Sequence, residues 1–442
     1  MFPELQGRGD WMEVPRFSRK RPLLNGYEEE PPLHLKKCLV RLKTLLDRCE
    51  TDGLHRARLK TGCGHSCTPE ACVNGGIKHP TDAESLLEQI SSWDSTQDAV
   101  RKVLEHLRFG QTDDDIFLND SVNERFLQFH CDITEECGAE DKQHSWAVIE
   151  KQEEIVMYGP YYPNYNNGEH SEDIIIKQTQ ELLDSEAASS DWKVYIFTMN
   201  SPCLARNTDP CMLNLVRRAQ EWWRAYGVRT HIGYVKCWGF KGTKENLFRD
   251  VNYRQVDCIG QTEDHAGYVK AAEKSTDLNP LCENLFSPVK RLLRSVSFPL
   301  IVQGQDWRSH FKRMHSILAQ DTTETFTQEV NAMIEAAQAL LSEKSASFEE
   351  CVEKGQGFAS GHAFSSQVSD AVQDQTRLTF QQCWREMIQD KYAEFIREKL
   401  TEDFNQSTVQ LFIKDVAKFT KQYLQIGRVQ FSEEGSKAPQ VV

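Results

Sequence analysis

The segment from Trp192 to Val235 constrains the fold more than any other part of this chain. Trp192–Thr198 is apolar on both faces, as in a strand buried between two layers. Met212–Tyr226 places Leu213, Val216 and Trp223 on one helical face, and Gly227 follows as a C-cap. Val228–Val235 is a second strand-like run. A strand, a helix and a strand in succession need a crossover, so the two strands pair in parallel. A parallel pair must be covered on both faces, which predicts an α/β fold of three layers, α/β/α, with a mixed sheet.

The neighbouring segments extend this plan. Ser145–Ile149 and Glu154–Tyr158, separated by a polar break, read as a β-hairpin. Helical spacing marks Leu33–Arg48, Asp82–Trp93, Gln97–Arg108, Asn119–Glu136 and Asp173–Leu183. After about residue 285 the chain turns mainly helical, with helices predicted at Pro288–Ser295, Arg308–Ala319, Thr325–Ser342, Arg377–Leu400 and Gln406–Gln425. Gly355-Gln356-Gly357, with Gly361 beyond, is the clearest interruption there. The expected organisation is a disordered segment 1–33, a helical region 34–118 with a Cys/His-rich loop, an α/β domain 119–260, a helical domain 285–430 and a tail 431–442.

Two short pieces carry the chemistry. Gly168-Glu169-His170-Ser171-Glu172 opens one helix; Ser201-Pro202-Cys203, seven further residues and Cys211 open the next. A catalytic zinc site takes three protein ligands and keeps one place open, and one imidazole with two thiolates meets that number. Helix N-termini carry partial positive charge, which favours thiolates there. Glu172, two residues after the histidine, can face the reacting water without ligating the metal. His170, Cys203 and Cys211 are therefore the expected metal ligands and Glu172 the catalytic acid/base.

This His-x-Glu … Pro-Cys … Cys arrangement, over residues ~120 to 260, resembles the AID/APOBEC-like branch of the zinc-dependent cytidine deaminases. The Thr198–Cys203 run and the aromatic loop Tyr158–Tyr165 resemble that branch as well. The seven-residue spacer departs from the two residues of the basic signature, and Met199-Asn200 stands where the family has a Trp nearby. The resemblance implies a cytidine-deaminase-like sheet, one Zn2+ per chain and hydrolytic conversion of cytosine to uracil. Water adds at C4, and Glu172 takes its proton, passes it to the ring nitrogen and later protonates the departing ammonia. It also implies a Ser201 main chain beside the exocyclic amine, and Tyr161, Tyr162 or Tyr165 with Asn164, Asn166 or Asn167 around the base and sugar. A part in innate defence is what such families often play.

The net charge of −14 weighs against indiscriminate binding to polyanions. Cys211–Asp250 nevertheless holds eight basic against three acidic residues. Trp238, in Lys236-Cys237-Trp238-Gly239-Phe240, lines either a groove for single-stranded nucleic acid or the core at a strand end. The substrate expected is single-stranded DNA or RNA, with a free nucleoside or an inactive binding module as alternatives. The C-terminal helices suit self-association or a protein partner. Cys63, His65, Cys67 and Cys72, with His79, match no common zinc spacing and read more readily as a Cys-rich loop than as a second metal site. Asp113-Asp114-Asp115 reads as a solvated turn. The first residues lack the apolar core of a signal peptide, and no run is apolar enough to cross a membrane. The expectation is a cytoplasmic or nuclear protein with thiols largely free, Ser18–Pro22 being a possible nuclear address.

Overall fold

The computed structural model describes the backbone of residues 16–20 and residues 82–108, 114–137, 142–152, 154–164, 166, 168–185, 188–240, 247–275, 278, 284–295, 297–298, 307–314, 324–342, 347–365 and 368–431. The helix expected at Leu33–Arg48 and the Cys/His-rich loop lie outside these residues. One sheet contains β1 (Arg16–Lys20), β2 (Ser145–Glu150), β3 (Glu154–Tyr161), β4 (Lys193–Asn200), β5 (Arg229–Lys236) and β6 (Leu424–Arg428), in the order β1-β3-β2-β4-β5-β6. β4, β5 and β6 run parallel, whereas β1, β3, β2 and β4 pair antiparallel, so the sheet is mixed.

The helices are α1 (Asp82–Asp94), α2 (Thr96–Arg108), α3 (Asp120–Cys137), α4 (Ser171–Ser185), α5 (Cys211–Tyr226), α6 (Tyr253–Gln261), α7 (His265–Ala272), α8 (Phe286–Ser295), α9 (Trp307–His310), α10 (Glu324–Ser342), α11 (Phe348–Gly361) and α12 (Asp370–Thr420). Alternation along the strands sends side chains to opposite faces. Trp146, Val148, Tyr195 and Phe197 meet Phe126 and Phe129 of α3 on one face. Ala147, Ile149, Val194, Ile196 and Ile232 meet Ile175, Leu183, Leu213 and Val216 of α4 and α5 on the other. These are the three layers expected from the crossover. Gly227 closes α5 with φ 73° and donates its N–H to the Trp223 carbonyl.

The C-terminal region differs from the sequence reading in three places. The helices expected at 377–400 and 406–425 are one helix, α12, of 51 residues. At 1.5 Å per residue it is about 75 Å long. Its first part packs into a separate core with α9, α10 and α11, where Phe311, Phe326, Val330, Cys351 and Trp384 are buried. Its second part packs through Phe404, Phe412 and Val416 into the main core, and Tyr392 and Phe395 touch both. Thr401, Phe404 and Asn405, between the two expected helices, are buried, and the helix runs through them without a break.

Secondly, α12 stops at Thr420 and the chain enters β6, which takes the open edge of β5. Periodicity alone could not end the helix, because the edge that captures residues 424–428 is made 190 residues earlier in sequence. Thirdly, Gly355-Gln356-Gly357 does not interrupt a helix but lies within α11. A Cβ on Gly355 would come within 2.2 Å of the Trp384 indole, whose Nε1–H donates to the Cys351 carbonyl at 2.8 Å. The glycine is there for close approach of two helices.

Two smaller differences concern polar segments. Arg16–Lys20, within the stretch expected to be disordered and overlapping the basic run, pairs by backbone with β3. Ladder bonds are made by the main chain, so a polar run can serve as an edge strand. Asp115, expected in a solvated turn, accepts hydrogen bonds from Arg428 at 2.7 Å, Gln406 at 2.8 Å and Gln410 at 3.0 Å. It ties the start of the α/β unit to β6 and α12.

Candidate metal centre and active site

The site lies where β4 and β5 end and α4 and α5 begin, the usual place for ligands in open α/β sheets. His170 immediately precedes α4. Its backbone N–H donates to Asp173 Oδ2 at 2.9 Å, and the Asp173 N–H returns to the His170 carbonyl at 3.1 Å. This reciprocal pair fixes the helix start and aims the imidazole. Cys211 opens α5 after Pro210, which supplies no side-chain cap. The Met212 N–H instead donates to the Cys203 carbonyl at 3.1 Å, closing the seven-residue spacer on itself and bringing the two thiols to one point.

His170 Nδ1 lies 3.7 Å from Cys203 Sγ and 3.3 Å from Cys211 Sγ, and the three donor atoms all lie within 4.8 Å of one another. Zinc bonds of about 2.1 Å to nitrogen and 2.3 Å to sulfur, arranged tetrahedrally, imply N···S separations of about 3.6 Å. The donor set and its spacing therefore fit a metal ion, and this is the metal-binding arrangement of a deaminase active site. Cys203 is held down at about 5, first by the adjacent Cys211 thiol and then by His170. Cys211 is pushed up for the complementary reason, as the partner that keeps its proton. Contact with Cys203 raises His170.

Glu172, in the first turn of α4, is 3% exposed. Burial pushes its carboxyl up to about 7. Ser171 Oγ donates to Glu172 Oε2 at 3.1 Å and lies 2.7 Å from Ser145 Oγ on β2, all three side chains being buried. Sequence reasoning passed over Ser171 and Ser145; the only signal was a hydroxyl residue between the expected ligand and the expected acid.

A cavity of about 420 Å³ opens beside these groups, lined among others by His170, Glu172, Ser201, Cys203, Trp238 and Phe240. Ser201 and Trp238 are thus at the site as expected, joined by a hydrogen bond from the Trp238 N–H to Ser201 Oγ at 2.9 Å. The Ser201 N–H also donates to the Lys236 carbonyl at 2.7 Å, so the loops after β4 and β5 hold each other. Four other expected residues, Tyr161, Tyr162, Asn164 and Asn166, lie off the cavity wall. Tyr161 is buried in the main core at the end of β3, on the same side as Tyr158, because the pairing of β2 and β3 shifts register between these two tyrosines. Tyr162 is 41% exposed and tilts against His144. Asn164 pairs by backbone with Glu169, and its Oδ1 accepts the Asn166 N–H at 3.2 Å, which shapes the loop. Tyr165 and Asn167 lie outside the described residues. Gln143, Pro163, Asn200, Ala205, Arg206 and Asn207 line the cavity without having been singled out.

A second cavity of about 290 Å³ shares Ala205, Arg206, Asn207 and Phe240 with the first and reaches Thr401, Phe404 and Asn405 of α12. Gly239, at φ 64°, brings the loop after β5 onto this helix: a Cβ there would lie 2.5 Å from Asn405 Oδ1 and 3.1 Å from its Cα. The helical region therefore walls the second cavity, next to the site. Among the described residues of 211–250, three of the basic side chains have acidic partners. Arg217 pairs with Asp94 and Asp209, Arg218 with Glu221 and Arg249 with Asp250.

A family model described as Secreted Novel AID/APOBEC-like Deaminase 3 matches residues 53–426. The chain belongs to this family. The match extends well beyond the ~120 to 260 covered by the sequence resemblance and includes the helical region. Searches of curated proteins and of solved structures returned no match. Membership of a family described as secreted overturns the expectation of a cytoplasmic or nuclear location. That expectation rested on an apolar run not being found near the first residue, and such an absence does not report a compartment. No described helix is long and apolar enough to cross a membrane. Seven cysteines among the described residues are free, including the two at the site.

Proposed function

We propose that this deaminase binds one zinc ion through His170, Cys203 and Cys211 and converts cytosine to uracil in single-stranded nucleic acid. The observation that carries the reading is the convergence of those three donors beside a buried carboxyl, with His170, Cys203 and Glu172 lining one cavity. A bound zinc ion supplies Lewis acidity that makes water nucleophilic near neutral pH.

The chain's own residues handle the protons. The Glu172 carboxylate takes one proton of the attacking water and delivers it to the ring nitrogen; it then takes the second proton, from the hydroxyl now on C4, and gives it to the amine, which leaves as ammonia while the C4 carbonyl forms. A carboxyl raised to about 7 can both take and give a proton near neutrality. Ser171 holds it in one rotamer through the hydroxyl bond, and burial keeps bulk water from competing. Trp238 and Phe240 offer aromatic faces to the ring. The cavity falls in the range of about 300–1,000 Å³ that suits small ligands. A second cavity, which shares Ala205, Arg206, Asn207 and Phe240 with the first, offers room beyond a single base, which supports a polynucleotide.

A free nucleoside or nucleotide is the second reading. It is favoured by the acidic partners of Arg217 and Arg218, which compensate two of the basic residues on α5 that a phosphate backbone would need. The test is metal content of purified protein and of a Cys203→Ser/Cys211→Ser variant, then uracil formation on single-stranded oligonucleotides and on cytidine. One zinc lost in the double variant, with uracil in oligonucleotides abolished by Glu172→Gln, is the expected result. Uracil from cytidine alone would move the assignment to the second reading. Zinc with no conversion of either would leave a metal site without this chemistry.

A further inference from the structure

The spacer between the two cysteines contains one cation, Arg206, whose side chain is only 17% exposed. Its Nη1 donates to Asp173 Oδ2 at 2.8 Å and to Cys211 Sγ at 3.3 Å. Its Nε donates to Thr208 Oγ1. Asp173 Oδ2 is the same oxygen that takes the His170 N–H. One guanidinium therefore touches the sulfur of one ligand and grips the carboxylate that fixes the backbone of another.

We propose that Arg206 is a positioning residue of the metal centre, locking His170 to Cys211 and withdrawing electron density from the Cys211 sulfur. The inference rests on the His/Cys/Cys reading of the site. The seven-residue spacer gives it physical sense. With a longer loop, the second thiol loses the rigidity of a single helical turn, and a planar fork with several donors restores it. Arg206 also lines both cavities, a place from which a guanidinium can reach a phosphate. Its donors are instead turned to Asp173, Cys211 and Thr208, so the site uses it from within. An N–H···S bond lowers the donor strength of a thiolate and leaves a bound metal ion more Lewis-acidic. Groups in this position are commonly worth about 10–100-fold in metal affinity.

The experiment uses the full chain loaded with cobalt(II), whose thiolate charge-transfer absorption reports directly on the sulfur. In the wild type that band is expected, and Cys203→Ser/Cys211→Ser abolishes it. In Arg206→Met the band is expected to move to lower energy, and cobalt affinity against a competing chelator to fall about 10–100-fold. Arg206→Lys, which keeps a donor, recovers part of both. Asp173→Asn is expected to weaken affinity while leaving the band in place. A folded, cobalt-bound Arg206→Met with an unmoved band overturns the proposal. Loss of folding in both Arg206→Met and Arg206→Lys overturns it too, since Arg206 would then be scaffold. A wild type without the band defeats the metal-site reading itself, a separate result.

Discussion

The Ser171 hydroxyl stands 3.1 Å from Glu172 Oε2, so adjacent residues at the start of α4 form a hydrogen bond across the active-site wall. Because Ser171 spends its proton on the carboxylate, Ser145, 2.7 Å away, must supply the next hydrogen in the chain. The pair links the acid of the first helical turn to the strand below it. Hydrogen bonds to charged groups contribute about 1.5–3 kcal/mol. Ser171→Ala is therefore expected to lower kcat about 10- to 100-fold while zinc content stays at the wild-type value. Steady-state kinetics with metal analysis on the same sample checks it. An unchanged kcat would show that burial alone holds Glu172.

Gly239 and Asn405 make a second test, of the idea that the helical region walls the cavity next to the site. A residue other than glycine at φ 64° costs about 1–2 kcal/mol before any clash is counted. Gly239→Ala should also push on Asn405 and displace α12 from the loop. The expected outcome is a lower unfolding temperature together with a raised KM. Adding Asn405→Ala should restore KM more than stability, because it removes the clash and not the backbone strain.

Gly355→Ala probes the second core. Alanine is a better helix former than glycine by about 1 kcal/mol, which alone would stabilise α11. The Cβ would, however, sit 2.2 Å from the Trp384 ring, and overpacking costs about 1–3 kcal/mol. The variant is expected to be less stable by thermal unfolding, with zinc content unaffected. A more stable variant would mean that α11 and α12 approach less closely than described.

Burial, with help from His144, holds His130 down at about 4, and burial with Lys193 does the same to His231. Between pH 4 and 6.5 the unfolded chain therefore binds protons that the folded chain refuses. Stability is full above the unfolded value and falls as pH drops, by about 1.4 kcal/mol per pH unit for each histidine. Denaturant unfolding at pH 7, 6 and 5 is expected to show this loss, and His231→Gln to reduce its slope. A flat profile would mean that these imidazoles protonate in the folded state.

Much of the α/β unit was legible in the sequence because its signals are local. Strand–helix–strand order forces a parallel pair, an apolar run on both faces forces cover, and Gly227 marks where α5 must stop. The His170, Cys203 and Cys211 cluster was legible because both pieces sit at helix starts, where one or two residues decide the direction of a side chain. The substrate loop was not. Tyr161 belongs to the core because an irregular step in the β2–β3 pairing brings it to the side of Tyr158, and Asn164 is occupied by its own turn.

What the sequence determined by itself was thus the crossover, the layers and the trio His170, Cys203 and Cys211. Only the tertiary structure decided that residues 424–428 close the sheet, that 51 residues form one helix, and that Gly355 and Gly239 serve contacts rather than turns. The same holds for Ser145, Asp115 and Arg206, whose partners come from other elements. Periodicity and capping act over a few residues, whereas a sheet edge, a helix surface or a shared hydrogen bond exists only once distant segments have met.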